Sequence, residues 1–465
     1  MHLNFIIRRS LKVVLPALLL TSCSGLKQGS ALTETSALVH ERTGADVAMP
    51  RTQLEQRDVD ARIASLLGKP LSAASAVQIA LLNNKQLHAT LEELNLSHAD
   101  LLEASQLRNP SLATSLRFPK GGGGSNSEFA LTGDVLDWLL TPLRRKMAMH
   151  EYEATKRRVS HEVLNLATEV KIAFYTVQAQ QQFLHKLETA AEVNNVSSDI
   201  AKRLHQAGNI NSLEMLQEQT SAQQVALDLK RSKGELRTAR EKINRLLGLS
   251  SLEASRWSFV ENLPALPSHD PSSSKAEALA LTQRQDLAAK NETVIALAQS
   301  LSLKKKTRLI PGLNLGVDTE RDSDGTHLTG PTLDVELPIF NRGQAKMLRA
   351  EAELAQARAT LEALQSEVSS EVRMAIADVQ SARETYDHLT TILVPQRQKI
   401  LAETLLHYNA MQVSNFVLLR AKEDVITAER EAINALHAYW TAHAELENAV
   451  GGSLTTKPAS SAHAH

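Results

Sequence analysis

The only cysteine of the 465-residue chain, Cys23, stands where a covalent modification is possible. Cationic side chains precede an apolar run at residues 13–20, which is the layout of a secretory signal peptide. Small residues follow that run directly before the cysteine. We therefore predict a signal peptide at residues 1–22, with Cys23 as the first residue after it.

The segment Leu20-Thr21-Ser22-Cys23 resembles a bacterial lipobox. The resemblance implies that residues 1–22 are a lipoprotein signal peptide and that the thiol of Cys23 is lipidated with a diacylglycerol. Several acyl chains together anchor a protein stably. Ser24 stands where an aspartate is found in other lipoproteins, and by the same resemblance this permits sorting to the outer membrane. The alternative is an ordinary signal peptide with an unrelated cysteine.

Motifs for catalysis or cofactor binding are absent from the rest of the sequence. It has no GxxxxGK[ST] loop, no GxGxxG followed by a suitable acid, and no HExxH or GxSxG motif. The glycine run at 121–124 falls in a predicted hairpin loop and is not interpreted as a phosphate cradle. A net charge of −1 gives no electrostatic reason for nucleic-acid binding. The sequence therefore predicts a protein that is not an enzyme and binds neither a cofactor nor nucleic acid.

Histidine is the residue type that could suggest a metal site, because the chain contains 16 of them and ends with His463 and His465. The histidines within predicted helices show no i, i+4 pair that could ligate a metal; these are His150, His161, His185 and His205. We therefore predict no metal site, and the sequence leaves open whether the tail binds metal.

The elements that organise the chain are clearest at residues 330–393. Apolar and polar residues alternate first, at Leu333, Val335 and Leu337, which is typical of a strand. A turn containing Pro338, Asn341 and Gly343 follows. The apolar period then lengthens to seven residues in two interleaved rows, as on one face of a coiled-coil helix. The rows are Leu354, Leu361, Val368, Ala375, Ala382 and Leu389, and Val372, Val379, Tyr386 and Leu393.

The same pattern occurs 202 positions earlier, where Val159 corresponds to Leu361 and Val170 to Val372. A match that keeps one register through strand, turn and helix indicates an internal repeat. We predict a first repeat at residues 71–249 and a second at 274–450, joined by a proline- and serine-rich linker at 250–273. Residues 23–70 are predicted to be a polar segment with one short helix at 59–67, and residues 451–465 a disordered tail.

Each repeat is predicted to hold a helix, two strands, a very long helix and a shorter return helix. The first helices are placed at residues 71–107 and 274–309, and the long helices at 142–206 and 344–407, with Pro142 at a first helical position. Pro395 is expected to kink or interrupt the second long helix. The return helices are placed at 212–247 and 414–449.

The four predicted strands have one apolar and one polar face, which suits lipid on one side and water on the other. Four strands cannot close a membrane barrel, whose smallest examples need about eight, so several chains would have to pool their strands. The alternative is two ordinary surface hairpins on a helical protein.

The chain resembles the TolC family of bacterial outer-membrane efflux channels, in its lipidated branch, over about residues 70–450. The resemblance is carried by the duplicated unit, by GPTLDVELPIFNRGQAK at 330–346 and by GNINSLEMLQ at 208–217. It implies a mainly α fold with a small β part, in which three chains form a twelve-stranded β-barrel continuous with a periplasmic α-barrel. It also implies a passive exit duct in the outer membrane, docked through a periplasmic adaptor protein to an inner-membrane pump.

The resemblance places a gate at the helix tips, where acidic residues of the second-half return helix ring the constriction in well-known members. In this sequence Val417 and Arg420 occupy those positions, which departs from the pattern, and Glu214 is a further candidate for gate charge. Arg420 could equally be a solvated or interhelical-paired residue. The resemblance also places the adaptor-docking turns around Gly208, Asn209 and Ala410.

A different class of protein remains an alternative, namely a lipid-anchored periplasmic coiled-coil adaptor or scaffold. An adaptor would usually show one helical hairpin between β-rich domains, whereas this sequence repeats a strand–helix unit twice. A duct needs its strands inserted in lipid, and a scaffold does not. The exported substrate, the pump and the resting state of the gate are not predicted by the sequence.

Overall fold

A computed structural model describes residues 30–118, 120, 124–260, 262–270, 273–308 and 312–453. The predicted signal peptide, the lipidation site Cys23, most of the glycine run and the histidine-containing tail therefore lie outside the described residues.

The N-terminal segment contains two helices, α1 (Ser30–Thr43) and α2 (Gln53–Leu67), where the sequence analysis expected one short helix. Helix α1 was missed because only five of its 14 residues are apolar, so the sequence shows no sustained period. The structure nevertheless buries Val39 completely against the rest of the protein. Helix α2 begins earlier than expected because Thr52 and Glu55 form a capping box, in which each side chain accepts a hydrogen bond from the other's backbone N–H. Much of the segment expected to be loosely ordered is thus helical.

The first helix of each half is broken in two, which corrects the expectation of single helices at 71–107 and 274–309. The pieces are α3 (Ala73–Asn83), α4 (Lys85–Ser105), α8 (Ser273–Gln283) and α9 (Gln285–Thr307). The breaks fall at Asn84 and Arg284, which have extended backbone angles and lie 200 residues apart. Asn84 Oδ1 accepts the Leu87 N–H at 3.0 Å and its Nδ2 donates to the Leu246 carbonyl at 2.9 Å, so the side chain replaces the lost helical bonds.

The four strands form one antiparallel sheet in chain order, β1 (Ser111–Arg117), β2 (Asn126–Asp134), β3 (Leu313–Arg321) and β4 (His327–Val335). Strand β2 pairs with β3, with Leu131 opposite Val317, so the sheet joins the two halves of the chain. Position 316 requires glycine, because the Cβ of any other residue there would lie 2.6 Å from the Leu131 carbonyl oxygen.

The register collects most apolar side chains of the sheet on one face and leaves them exposed. Leu112 pairs with Leu131, and Leu315 pairs with Leu333, and each of these four side chains is at least half exposed. The other face carries the intervening pairs, such as Ser111 with Thr132 and Asn314 with Asp334. Such alternation allows the sheet to separate an apolar medium from water.

Helix α5 (Val135–Gln206) runs for 72 residues without a break, or about 108 Å at 1.5 Å per residue. It begins seven residues before Pro142, so that proline lies inside the helix rather than at its first position, as was expected. The early start follows from Asp134, whose Oδ1 accepts the Asp137 N–H at 2.9 Å and caps the helix. No helix of the described ranges is at once long and apolar enough to cross a membrane.

The second long helix is divided into α10 (Gln344–His388), a π-helical turn (Leu389–Leu393) and α11 (Val394–Asn409). The expected interruption at Pro395 is confirmed in this form. Proline has no N–H to donate to the carbonyl four residues earlier, and its ring would press on that carbonyl. The wider π turn directly before Pro395 relieves the contact while the helix continues.

The return helices are α6 (Ser212–Leu247) and α12 (Asn415–Val450), within one residue of the predicted bounds. The connecting segment lies between α6 and α8, contains a short helix α7 (Ser251–Ala254) and forms a parallel bridge from Phe259 to Leu71.

Helix α5 lies at the centre of the packing, in contact with α4 and α6 of its own half and with α9 and α12 of the other. Its inward face is fully buried along five turns of the helix; the residues are Val159, Val163, Val170, Phe174 and Val177. These residues belong to one apolar cluster with α1–α4, α6 and the connecting segment, so this face of α5 forms the core of the first half.

Asp270 joins the connecting segment to the second half through hydrogen bonds with Arg383 and Tyr439. Arg383 donates two hydrogen bonds to its carboxylate at 2.6 and 2.7 Å, and the buried Tyr439 hydroxyl donates a third at 2.8 Å. Burial by itself would raise the pKa of Asp270, but these hydrogen bonds and the Arg383 charge outweigh it, so the pKa lies below its ordinary value of 3.8.

Replacing Gly248 with alanine is expected to destabilise the fold by about 2 kcal/mol. Gly248 ends α6 at φ 68°, where an L side chain is strained, and a Cβ there would lie 2.6 Å from the Asn83 carbonyl oxygen. Gly234 is the matched control, because it lies inside the same helix with nothing within 4 Å of an added Cβ. Gly234→Ala should raise stability by about 0.5–1 kcal/mol. Thermal unfolding followed by circular dichroism measures both, and equal shifts would contradict the assignment.

Asp270→Asn is expected to lower stability by about 2 kcal/mol at neutral pH, because Arg383 would keep its burial and lose its charged partner. The folded pKa of Asp270 is lower than its unfolded pKa, so its stabilising effect is complete above the unfolded value and disappears as the pH falls through the folded one. The difference in unfolding midpoint between wild type and Asp270→Asn should therefore be constant from pH 7 to pH 5 and shrink below about pH 4. A difference that stays constant to pH 3 would show that the carboxylate charge is not involved.

Candidate functional site at the helix tips

The first-half tip is a tight turn between α5 and α6. The Gly208 N–H donates to the His205 carbonyl and the Asn209 N–H to the Leu204 carbonyl, both at 2.9 Å, and Gly208 has a φ of 76°. This is a Schellman-type end, in which glycine takes the left-handed conformation. Asn211 then starts α6 by accepting the Glu214 N–H at 2.9 Å.

The second-half tip repeats the turn with a different residue in the strained position. Ala410 is the cap residue of α11, and Met411 follows with a φ of 57°, the positive value that Gly208 has in the first half. Met411 is the single non-glycine residue with positive φ in the described ranges, and its side chain is 95% exposed. Sequence reasoning missed Met411 because its left-handed backbone follows from the hydrogen bonds of the turn and not from its own preference.

The three gate candidates lie near these turns but do not form one charged cluster. Glu214 is exposed in the first turn of α6, and Val417 is 48% exposed in the first turn of α12. Arg420 forms ion pairs within α12, with Glu423 at 3.5 Å and Asp424 at 3.8 Å, and 77% of its side chain is exposed. Arg420 is therefore a solvated residue paired along its own helix.

A polar network just behind the tips was not recognised in the sequence. Ser221 Oγ of α6 donates to Asn194 Oδ1 of α5 at 2.9 Å, and lies 3.4 Å from Glu423 Oε1 of α12. Ser197 of α5 also donates to the Glu218 carboxylate of α6. These contacts connect the first-half helix pair with the second-half return helix.

The network continues into the second-half helix pair. Arg397 of α11 donates to Asp424 of α12 at 3.0 Å, and Asp424 also lies within reach of Arg420. A cavity of about 150 Å³ adjoins the network, with Phe416 and Leu419 supplying its apolar wall. Polar groups on four helices meet in this one place, so a shift of α12 against α5 would require these hydrogen bonds to exchange partners. Small polar residues within apolar heptads, such as Asn194 and Ser197, were the available sequence signal.

The strand-to-helix turn lies at the opposite end of the long helices. The Ile339 N–H donates to the Leu337 carbonyl at 2.9 Å around Pro338, and the Gly343 N–H donates to Asn341 Oδ1 at 3.0 Å. Gly343 has a φ of 75° and directly precedes α10. This geometry turns the chain from the sheet into the second long helix.

In the described residues, no three side chains of the metal-ligating types histidine, cysteine, aspartate and glutamate are grouped closely enough to hold an ion. The groups at the tips interact through hydrogen bonds and ion pairs between helices.

Comparison with known proteins gives the same fold. Residues 278–452 match the family described as "Outer membrane efflux protein". The cobalt-zinc-cadmium resistance protein CzcC of Cupriavidus metallidurans is 19% identical over 390 residues, which cover 82% of this chain and 90% of that protein.

Two solved structures cover most of the chain. The CmeC outer membrane channel of Campylobacter jejuni superposes with a TM-score of 0.70 at 16% identity, over 88% of this chain and 89% of that one. A membrane protein from Pseudomonas aeruginosa gives 0.69 at 19% identity, over 84% and 94%. Residues 278–452 thus match the outer membrane efflux protein family, and the chain as a whole has the fold of outer-membrane channels such as CmeC.

Proposed function

We propose that three copies of this chain form the outer-membrane channel of a tripartite efflux system, a passive exit duct for small molecules or ions. The observation that carries the proposal is the four-stranded sheet with one exposed apolar face, joined at one end to helices about 100 Å long. A sheet of this kind is stable in a membrane only when its edges are paired, and four strands are too few to close on themselves. Three chains supply twelve strands, which is enough for closure.

The helical part supports the same assembly. Helices α10 and α11 and the π-helical turn between them leave large apolar side chains exposed in the single chain; they are Leu348, Met374, Ile392, Ile400, Leu405 and Leu406. Contact with α5 of a neighbouring copy would cover them and complete a ring of helices around a passage, because helices with two apolar seams form closed bundles. The sheet and the ring would then form one continuous duct.

A passive duct needs an external source of energy, since the sequence has no nucleotide-binding motif. Channels of this family are homotrimers that work with periplasmic adaptors and inner-membrane pumps. We therefore place an adaptor at the tip turns around Gly208, Asn209 and Ala410, where the adjacent Met411 is almost fully exposed. The name of CzcC makes cobalt, zinc and cadmium ions the first substrates to test.

The decisive experiment is the detergent-corrected mass of the membrane-extracted protein. The duct requires a particle of three chains, each close to 50.9 kDa before removal of a signal peptide. A lipid-anchored scaffold would instead give a Cys23→Ala variant that is folded, soluble and monomeric. That result would exclude the duct and make the strands surface hairpins.

Lipidation of Cys23 has its own test. Radiolabelled palmitate should be incorporated into the wild-type chain and not into Cys23→Ala. The unlipidated variant should still be recovered in outer membranes as a trimer, because a closed barrel holds itself in lipid without acyl chains. Palmitate labelling of Cys23→Ala would show that another residue is modified.

Charge at the tips should affect ion flow if the tips constrict the passage. Arg420→Asp would place a third carboxylate beside Glu423 and Asp424, and acidic rings favour cations. In planar bilayers the ratio of cation to anion permeability should rise at least about twofold over wild type. Arg237→Asp, an exposed charge reversal on α6 far from the turns, is the control and should leave the ratio unchanged. Equal ratios in all three proteins would place the constriction elsewhere.

A further inference from the structure

We propose that the turn between the sheet and the second long helix binds the anionic phosphate head groups of phospholipids in the periplasm-facing leaflet of the outer membrane. The binding surface, called here the junction surface, comprises the end of α9, the loop after β4 and the start of α10. The proposal depends on the proposed function, because it assumes that the apolar face of the sheet lies in lipid.

Positive charge is concentrated at the junction surface. Helix α9 has three consecutive lysines in its last turn and is followed directly by Arg308, and the loop and the first turns of α10 add three more cations. The seven residues are Lys304, Lys305, Lys306, Arg308, Arg342, Lys346 and Arg349. Within the described part of the chain, Lys304 is the one member of this set that forms an ion pair, with Glu353 at 3.9 Å. Most of the charge is thus available to a partner.

The local geometry holds these cations together. Arg308 Nε donates to the Arg342 carbonyl at 2.9 Å, which joins the end of α9 to the loop. Between them lies an open cavity of about 130 Å³, lined by Lys304, Arg308 and Lys346 on its cationic side and by the single acid Glu336. A phosphate group entering this cavity would meet several cations and one carboxylate, so charge complementarity favours an anion.

Apolar side chains lie beside the cations and point to a lipid rather than a free anion. Leu337 is 68% exposed, Ile339 64% and Phe340 97%. They continue the apolar face of β4, which ends with Leu333 and Val335. Apolar side chains next to cations at the boundary of a membrane-embedded sheet fit a molecule with acyl chains and an anionic head.

The other ends of the sheet differ in charge. At the first-half junction, Arg108 and Arg144 share Asp137, at 3.7 and 3.0 Å, so that part of the positive charge is neutralised. At the far end of the sheet, the loop between β3 and β4 carries Asp322 and Asp324. The first-half junction also exposes Arg145 and Lys146. Positive charge therefore lies along the helix-side rim of the sheet, with more cations in the second half, while the β3–β4 loop at the opposite end is acidic; this would favour one orientation toward an anionic leaflet.

The test uses the full-length trimer, purified in detergent, offered equal amounts of phosphatidylglycerol and phosphatidylcholine, and analysed by native mass spectrometry. Wild type should retain phosphatidylglycerol in preference to phosphatidylcholine. Lys305→Gln/Lys306→Gln/Lys346→Gln should lower that preference at least about fivefold. Each of these side chains is exposed, so the variant should assemble normally.

A matched variant removes the same number of cations elsewhere. Lys230, Arg237 and Lys242 are exposed on α6, away from the sheet, and their replacement by glutamine should leave the preference unchanged. Phe340→Ser should also weaken lipid retention, and millimolar inorganic phosphate should not displace the lipid. Loss of lipid to phosphate, with no effect of Phe340→Ser, would mean that the surface binds a free anion and would overturn the proposal.

The remaining outcomes separate this inference from the proposed function. A wild-type trimer that conducts ions in phosphatidylcholine bilayers but shows no lipid preference would refute the junction surface and leave the duct intact. An unchanged preference in the lysine variant would do the same. A wild-type protein that is monomeric and does not conduct would refute both, since no part of the sheet would then lie in lipid.

Discussion

Burial of one face of α5 is the constraint on which the rest of the structure depends. Val159, Val170 and Phe174 are fully buried in an apolar cluster formed with α3, α4 and α6 of the same half. Helix α5 also contacts α9 and α12 of the other half, through polar pairs such as Lys171 with Glu447, so the two halves pack side by side on one helix. That packing sets the distance at which β2 can pair with β3 and at which the two tips end near each other. Removing apolar surface from this seam would therefore affect sheet and tips together.

Departures from the regular repeat occur where backbone hydrogen bonds are lost and side chains replace them. Asn84 and Arg284 break equivalent helices, but they compensate in different ways. Asn84 bonds to backbone groups, whereas Arg284 is buried and forms ion pairs with Asp286 and Glu371. A buried arginine is tolerated only with such partners, because an unpaired charge in the interior is very costly. The duplication thus kept the position of the break and changed the chemistry that stabilises it.

The two ends of the long helices have opposite physical character. At the tips, uncharged, acidic and basic groups on four helices are joined by hydrogen bonds, with Ser221 between Asn194 and Glu423 and Arg397 paired with Asp424. At the sheet end, cations and exposed apolar side chains lie together around Phe340. The first arrangement suits contacts that form and break between helices in water. The second suits a fixed position at the boundary between water and lipid.

The amino-acid pattern alone determined the repeat, the order of strands and helices, the bounds of both return helices and the interruption at Pro395. Each of these follows from local periodicity or from a backbone property of a single residue, which a sequence shows directly. Helix α1, the breaks at Asn84 and Arg284, the position of Pro142 inside α5 and the left-handed Met411 were decided by tertiary structure. In each case the deciding hydrogen bond or burial involves a cap, a partner distant in the chain or a turn geometry, as when Asn84 bonds to the Leu246 carbonyl. The tip network could not be predicted from the sequence either. Its members are far apart in the chain and become neighbours only when α5, α6 and α12 pack together.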